Sequence, residues 1–313
     1  MKEERVLVAD IGGTHCRLAM AVRASPRPHL ESERVCGTPR GDLVDVLRNF
    51  LLDVRCERPA AIAVAAAGRV RRLPGRTWVS LTNAALNVER ESLANLCGGQ
   101  AWLANDLAAV AAALPLLTTE ERQTFGPARP SVDGLRLVIG VGTGFGVAAL
   151  TADGTVIETE AGHADLAAVS AEERQWLNRL APLGRLTADA LLSGPGLLRL
   201  YEVIAGQSCQ TVDELLMRQR KHENAALKTL TAFSTWLGRN SGNLVLSLGA
   251  WGGVDLTGGV IGGLGDSLDM QAFRRGFEEK APFSADLAVV PVHRIAHSQP
   301  ALLGMARIAL GPD

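Results

Sequence analysis

Aromatic residues are scarce in this chain: of 313 residues, one is tyrosine (Tyr201), five are tryptophan and seven are phenylalanine. Alanine and leucine are abundant instead, which suits a tightly packed α/β enzyme better than an aromatic-rich binding surface. An excess of either charge is also lacking. With 32 basic against 33 acidic residues, no polyanion-binding surface is implied, so nucleic acid is not an expected partner. The longest apolar runs, such as residues 60–67, fall far short of the roughly 20 residues that span a bilayer, so no membrane association is expected. The five cysteines (Cys16, Cys36, Cys56, Cys97, Cys209) are odd in number, and no pair has CxxC spacing. That excludes a zinc knuckle or redox dithiol and leaves reduced thiols in a cytosolic protein as the expectation. A first strand beginning at Arg5 leaves no room for a signal peptide or a DNA-binding module ahead of it, and neither is expected.

Glycine is where the chain spends freely. Asp10-Ile11-Gly12-Gly13-Thr14 and Gly140-Val141-Gly142-Thr143-Gly144-Phe145-Gly146 lie about 130 residues apart, each inside an apolar run of strand character. The first run predicts strands at 5–10, 15–23 and 30–36, then a helix at 42–56 with Leu43, Val46, Leu47, Phe50 and Leu51 on one face. A buried strand at 61–67, a strand at 77–81, a helix at 89–96 and a strand at 102–105 follow. An alanine-rich helix at 107–114 is stopped by Pro115. The second run repeats the opening: strands at 135–141, 146–151 and 155–159, then helices at 171–180, 188–192, 196–204, 212–218 and 223–248. A strand at 254–257 leads into Gly258-Gly259, and a last helix at 301–310 is expected to pack back on the first half. Residues 127–133 are the only stretch with linker-like composition. Three strands followed by a helix, twice, is a repeat of fold with little identity of sequence.

Several constellations carry chemistry. Gly12 and Gly13 lack Cβ atoms, so backbone N–H groups there can approach phosphate oxygens as a nest. Thr14 adds a hydroxyl, Arg17 a charged fork, and Asp10 a carboxylate for a Mg²⁺-bound water; an ordinary Gly-Gly hairpin is the plain alternative. The second turn, through Gly142, Thr143 and Gly144, spends four glycines, a backbone entropy cost that makes sense if a ligand must come close. Neither G-x-x-x-x-G-K-[ST] nor a full G-x-G-x-x-G is present, so P-loop and Rossmann readings fail. Asn105-Asp106 ends a strand and opens a helix: Asp106 is either the helix cap or a carboxylate at a strand's ligand-facing end. Glu160-Ala161-Gly162-His163 can meet the hydroxyls of a polyol or form a solvated loop, and one histidine does not make a metal site. Asp189 follows Thr187 in a first helical turn, where the helix dipole alone would explain it. Gly252-Gly253 and Gly258-Gly259 flank a strand where a flat adenine can slide against backbone, or they serve as caps.

These segments, together with Leu192-Ser-Gly-Pro-Gly196 and Leu256-Thr-Gly-Gly259, occur in the order and spacing of bacterial glucokinases. The resemblance covers essentially the whole chain and is to the proteobacterial type, not to the branch with repressors and a cysteine-rich zinc motif. It implies a two-lobed actin-like ATPase (ribonuclease H-like) fold, each α/β lobe a mixed sheet with flanking helices and a nucleotide and sugar cleft between them. The implied lobes are 1–107 with 297–313, and 108–296; the implied assembly is a cytoplasmic homodimer. The implied reaction is phosphorylation of D-glucose by ATP, with Mg²⁺ carried on the nucleotide and no protein metal site. By the same resemblance Asp106 is the base for the sugar 6-hydroxyl, and Asn105, Glu160 and His163 hold the other hydroxyls. Gly12, Gly13, Thr14 and Thr143 cradle phosphates, and Gly259 lies near the adenosine.

The chain departs from the family pattern at three positions. His15 replaces a common asparagine, Ala161 a common glycine, and Asp189 the glutamate that reaches the sugar. One methylene less is about 1.5 Å of reach, and a weakened sugar contact costs on the order of 1–3 kcal/mol. A kinase for another hexose or an amino sugar is therefore the rival enzyme, and a catalytically silent sugar sensor the rival of another class.

Overall fold

Why the first strands form is plain from their composition: Val6, Leu7, Val8 and Ala9 have no solvent exposure, nor do five of the six residues of the all-apolar strand paired beside them. In the computed structural model, which describes residues 4–39, 41–81, 86–126, 134–182 and 184–311, the chain divides into two units, Met1–Thr118 with His297–Asp313, and Thr119–Ala296. Residues 127–133, with the linker-like composition, lie outside the described residues.

The first unit opens with an antiparallel meander, β1 (Arg5–Ile11), β2 (His15–Val22) and β3 (His29–Gly37). Helix α1 (Leu43–Asp53) is capped by Asp42, which accepts from Val44 N at 2.9 Å, and buries Leu43, Leu47, Phe50 and Leu51. Strand β4 (Ala61–Ala66) then runs parallel to β1, buried along its whole length as central parallel strands are. A small three-stranded sheet follows, β5 (Val70–Leu73), β6 (Arg76–Ser80) and β7 (Asn87–Glu89). After α2 (Arg90–Cys97), β8 (Gln100–Asn105) joins β4 in parallel, giving the order β3-β2-β1-β4-β8. Helix α3 (Asp106–Ala113) runs into a 3₁₀ turn, Leu114–Leu116; Pro115 sits inside that turn and does not end the chain's helical path.

Helix α3 explains where the first unit ends. Ala108 to Ala113 are all buried, and a Cβ on Gly304 of the C-terminal helix would lie 1.8 Å from Ala109 O. Small residues on both sides let the two backbones meet. This seam holds the C-terminal helix within the unit made of Met1–Thr118 and His297–Asp313.

The second unit repeats the plan. Strand β9 (Arg122–Thr124) precedes the meander β10 (Arg136–Val141), β11 (Phe145–Leu150) and β12 (Val156–Glu158). Helices α4 (Ala171–Leu180), α5 (Ala188–Leu191), α6 (Gly194–Ala205), α7 (Val212–Arg220) and α8 (Asn224–Leu248) follow. Strand β13 (Gly253–Thr257) is parallel to β10, and after α9 (Gly259–Leu264), α10 (Met270–Glu278) and α11 (Ser284–Ala288), β14 (Val292–Ile295) is parallel to β13. The last element is α12 (Pro300–Leu310), the C-terminal helix of the first unit. The sheet order β12-β11-β10-β13-β14 matches the first unit strand for strand, and β9 is added antiparallel at the edge. That extra strand is pinned by charge: Arg122 and Arg136 both reach Asp255, a fully buried residue of β13. No helix among the described residues is long and apolar enough to cross a membrane.

Candidate active site

The first glycine turn joins β1 to β2. Gly12 N donates to His15 O at 2.9 Å, and Thr38 grips the tip from the end of β3: its hydroxyl donates to Gly12 O at 2.6 Å and its N–H to Thr14 O at 3.0 Å. Gly12 thus closes the turn, and the expected nest reduces to Gly13 and Thr14, whose N–H groups have no protein partner among the described residues. Asp10 and Arg17 stand opposite each other across β1 and β2 and form an ion pair at 3.2 Å. Burial pushes the Asp10 carboxyl above its ordinary value, and Arg17 only partly offsets this. Arg17, expected as a fork for phosphate, spends at least one arm on that carboxylate.

The second glycine turn is built the same way. Gly142 N donates to Gly144 O at 2.9 Å, Gly140 and Gly146 pair across the ladder, and the N–H groups of Thr143 and Gly144 have no protein partner among the described residues. A Cβ on Gly142 would meet nothing within 4 Å, so the protein's own packing does not require that glycine. The same holds for Gly259, the first residue of α9. Its neighbour Gly258 is required: at φ +103° a Cβ there would lie 2.3 Å from Val141 O.

Three further segments of the second unit close on this turn. The N–H of Gly194, at the start of α6, donates to Gly142 O at 2.8 Å, with Ser193 capping the helix through Gly196 N. Asp189 of α5 accepts the Phe145 N–H on Oδ1 at 2.8 Å. Gly162, between Glu160 and His163, packs so tightly that a Cβ would stand 1.9 Å from Phe145 O. The loop that carries these residues is tied to α5 by Ala188 N donating to Ala164 O at 3.0 Å and by a bridge between Asp165 and Thr187. Glu160 and His163 are exposed, with His163 Nε2 3.9 Å from Glu160 Oε2. The second hairpin, Glu160, His163 and Asp189 therefore belong to one cluster.

At the end of β8 the cap is Asn105, not Asp106. Asn105 Oδ1 accepts from Leu107 N at 2.9 Å and Ala108 N at 3.3 Å, while its Nδ2 donates to Gly68 O at 3.1 Å. Asp106, half-buried in the first turn of α3, accepts from Leu107 N at 2.9 Å. The amide expected to greet a hydroxyl is thus also a structural brace, and the carboxylate beside it shares the Leu107 N–H with it.

Sequence reasoning missed Thr38 and the contacts made by the N–H groups of Gly194 and Phe145. The glycine of Leu192-Ser-Gly-Pro-Gly was visible, but its partner Gly142 is a matter of tertiary packing. Among the described residues no group of three or more His, Cys, Asp or Glu side chains could hold a metal. An ion carried on substrate phosphates would need no such group, and Asp10 is a carboxylate at the end of β1 beside the first glycine turn.

Comparison with known proteins shows the family. A sequence profile of the glucokinase family matches residues 7–311. The glucokinase of Tolumonas auensis is 33% identical over 96% of this chain and 95% of its own length, and that of Cronobacter sakazakii is 34% identical over 95% and 94%. Among solved structures, a glucokinase from an Antarctic psychrotroph superposes with a TM-score of 0.85 at 28% identity, covering 98% of this chain and 99% of that one. A glucokinase from Balamuthia mandrillaris in complex with glucose shares the fold, with a TM-score of 0.82 at 20% identity over 99% and 94% of the two chains. The fold is that of the actin-like ATPases, and the chain belongs to the glucokinase family.

Proposed function

We propose that this protein transfers the terminal phosphoryl group of ATP to the 6-hydroxyl of D-glucose, giving glucose 6-phosphate and ADP. Family membership supports the reaction. The observation that carries it at the level of residues is the hairpin at Gly142–Gly144: the N–H groups of Thr143 and Gly144 have no protein partner among the described residues, and the hairpin is braced against the loop of Glu160 and His163. This supports a reading in which anion-seeking donors and the segment bearing hydroxyl-seeking side chains act in one cluster.

Phosphoryl transfer demands alignment and charge stabilisation more than strong bases. In this reading Gly13, Thr14, Thr143 and Gly144 supply donors to phosphate oxygens, with Gly12 and Gly142 shaping the turns. Gly259 leaves backbone open beside the adenosine. Asp106 takes the proton of the attacking hydroxyl, and Asn105, Glu160, His163 and Asp189 orient the sugar. Mg²⁺ supplies neutralisation of phosphate charge when bound, and Asp10 is the carboxylate available to one of its waters. A homodimer in the cytoplasm completes the proposal, in keeping with five free cysteines.

The test is a hexose panel in a coupled ADP-release assay. Glucose is expected to be the best substrate, and absence of glucose turnover would reject the reading. A preference for another hexose or an amino sugar is the second reading, favoured by the short Asp189 side chain already engaged with Phe145 N. Silence toward every sugar would leave the sensor.

A further inference from the structure

Asp189 does something its distance from the phosphate turn in sequence conceals. Its Oδ1 accepts the Phe145 N–H at 2.8 Å, and the same oxygen would stand 2.5 Å from a Cβ on Gly144. The carboxylate therefore holds the last peptide of the second glycine turn and occupies the space a side chain at residue 144 would need. The helix that presents it is itself immobilised: Ala188 and Leu191 are fully buried, Ala188 N bonds to Ala164 O, and Thr187 Oγ1 accepts from Ala190 N. Asp189 Oδ2 has no protein partner among the described residues.

We infer that Asp189 is a positioning residue for the phosphate turn, which couples occupancy of the sugar site to the geometry of residues 142–145. This rests on the proposed ATP-dependent sugar kinase reading. One oxygen holds the turn and the other is left for a sugar hydroxyl. A hydroxyl donating to Oδ2 restrains the whole carboxylate and so stiffens the turn through Oδ1, aligning the phosphate donors when sugar is bound.

The test compares wild type with Asp189→Ala and Asp189→Asn, reading KM for ATP and for glucose separately. Asparagine keeps an acceptor for the Phe145 N–H and loses the charge. Asp189→Ala is expected to raise the ATP KM about tenfold, the scale of a lost hydrogen bond to a charged group. Asp189→Asn is expected to return it to within about threefold of wild type while glucose stays weakened. An ATP KM unmoved in Asp189→Ala, with glucose alone affected, would reduce Asp189 to a sugar contact and overturn the inference. So would Asp189→Asn matching alanine in its nucleotide defect. Hydrogen exchange on the wild type needs no variant: saturating glucose should slow exchange of amides 142–146 several-fold, and unchanged exchange counts against coupling. Wild-type glucose turnover is measured first, because its absence sinks the functional reading and this inference with it.

Discussion

Gly162 and the carbonyl of Phe145 meet so closely that a Cβ on Gly162 would lie 1.9 Å from the oxygen. The glycine between the two hydroxyl-binding candidates is thus the seat on which the second glycine turn rests. Gly162→Ala must push the two segments apart, since the obstacle is backbone. We expect a stability loss of about 1–3 kcal/mol, typical of overpacking, and a fall of at least tenfold in kcat/KM for both substrates. Steady-state kinetics beside a thermal melt checks this, and wild-type kinetics in the variant would break the link between loop and turn.

Asp106 gives a sharper prediction. Since Asn105 caps α3, removing the charge at Asp106 leaves the helix start intact. Asp106→Asn is expected to lower kcat by about 10²- to 10⁴-fold, the usual scale for a general base, with glucose affinity by calorimetry within a few-fold of wild type. Retained turnover would remove Asp106 from the proton-accepting role.

The pair Glu173 and Arg239 predicts a pH dependence. Burial alone would raise the Glu173 carboxyl, but Arg239, bonded to both oxygens at 2.9 and 3.0 Å, and the N–H groups of Val169 and Ser170 outweigh it and hold the carboxyl below its ordinary range. A lowered folded pKa stabilises above the unfolded value, and that stability is lost as pH falls through the folded one. Glu173→Gln should therefore cost about 1.5–3 kcal/mol at pH 7. The gap to wild type should narrow as pH drops below about 4.5, read as urea midpoints of the transition that unfolds the second unit. A gap independent of pH would deny the carboxylate this part.

Much of this was legible in the residues. The paired hairpins announced themselves through glycines inside apolar runs, and β4 through six consecutive apolar residues; the repeated succession of three strands and a helix was legible, while the strand order of each sheet came from the structure. What escaped notice was short or mixed in composition. β5 places Arg71 and Arg72 in a four-residue strand, β7 and β9 have three residues each, and α9 is half glycine, which reads as turn. Helix α10 hid its apolar face, Phe273 and Phe277, among arginines and a glycine. At the site, the sequence named Asn105 and Asp106 but not which would turn back to the helix, since adjacent polar residues compete for the same N–H groups. Asp189 was visible as an acid in a first turn; its partner Phe145, 44 residues away, is a product of folding alone.

Strand β9 has no counterpart in the first unit, yet it runs beside β14, and Ala296 N donates to Glu121 O at 2.8 Å. The polypeptide therefore enters and leaves Thr119–Ala296 through neighbouring strands, with Arg122 riveted to Asp255 just inside the entrance. A segment whose two ends emerge together can be spliced into a surface loop of a host without stretching it. The second unit has the end geometry of a transplantable cassette.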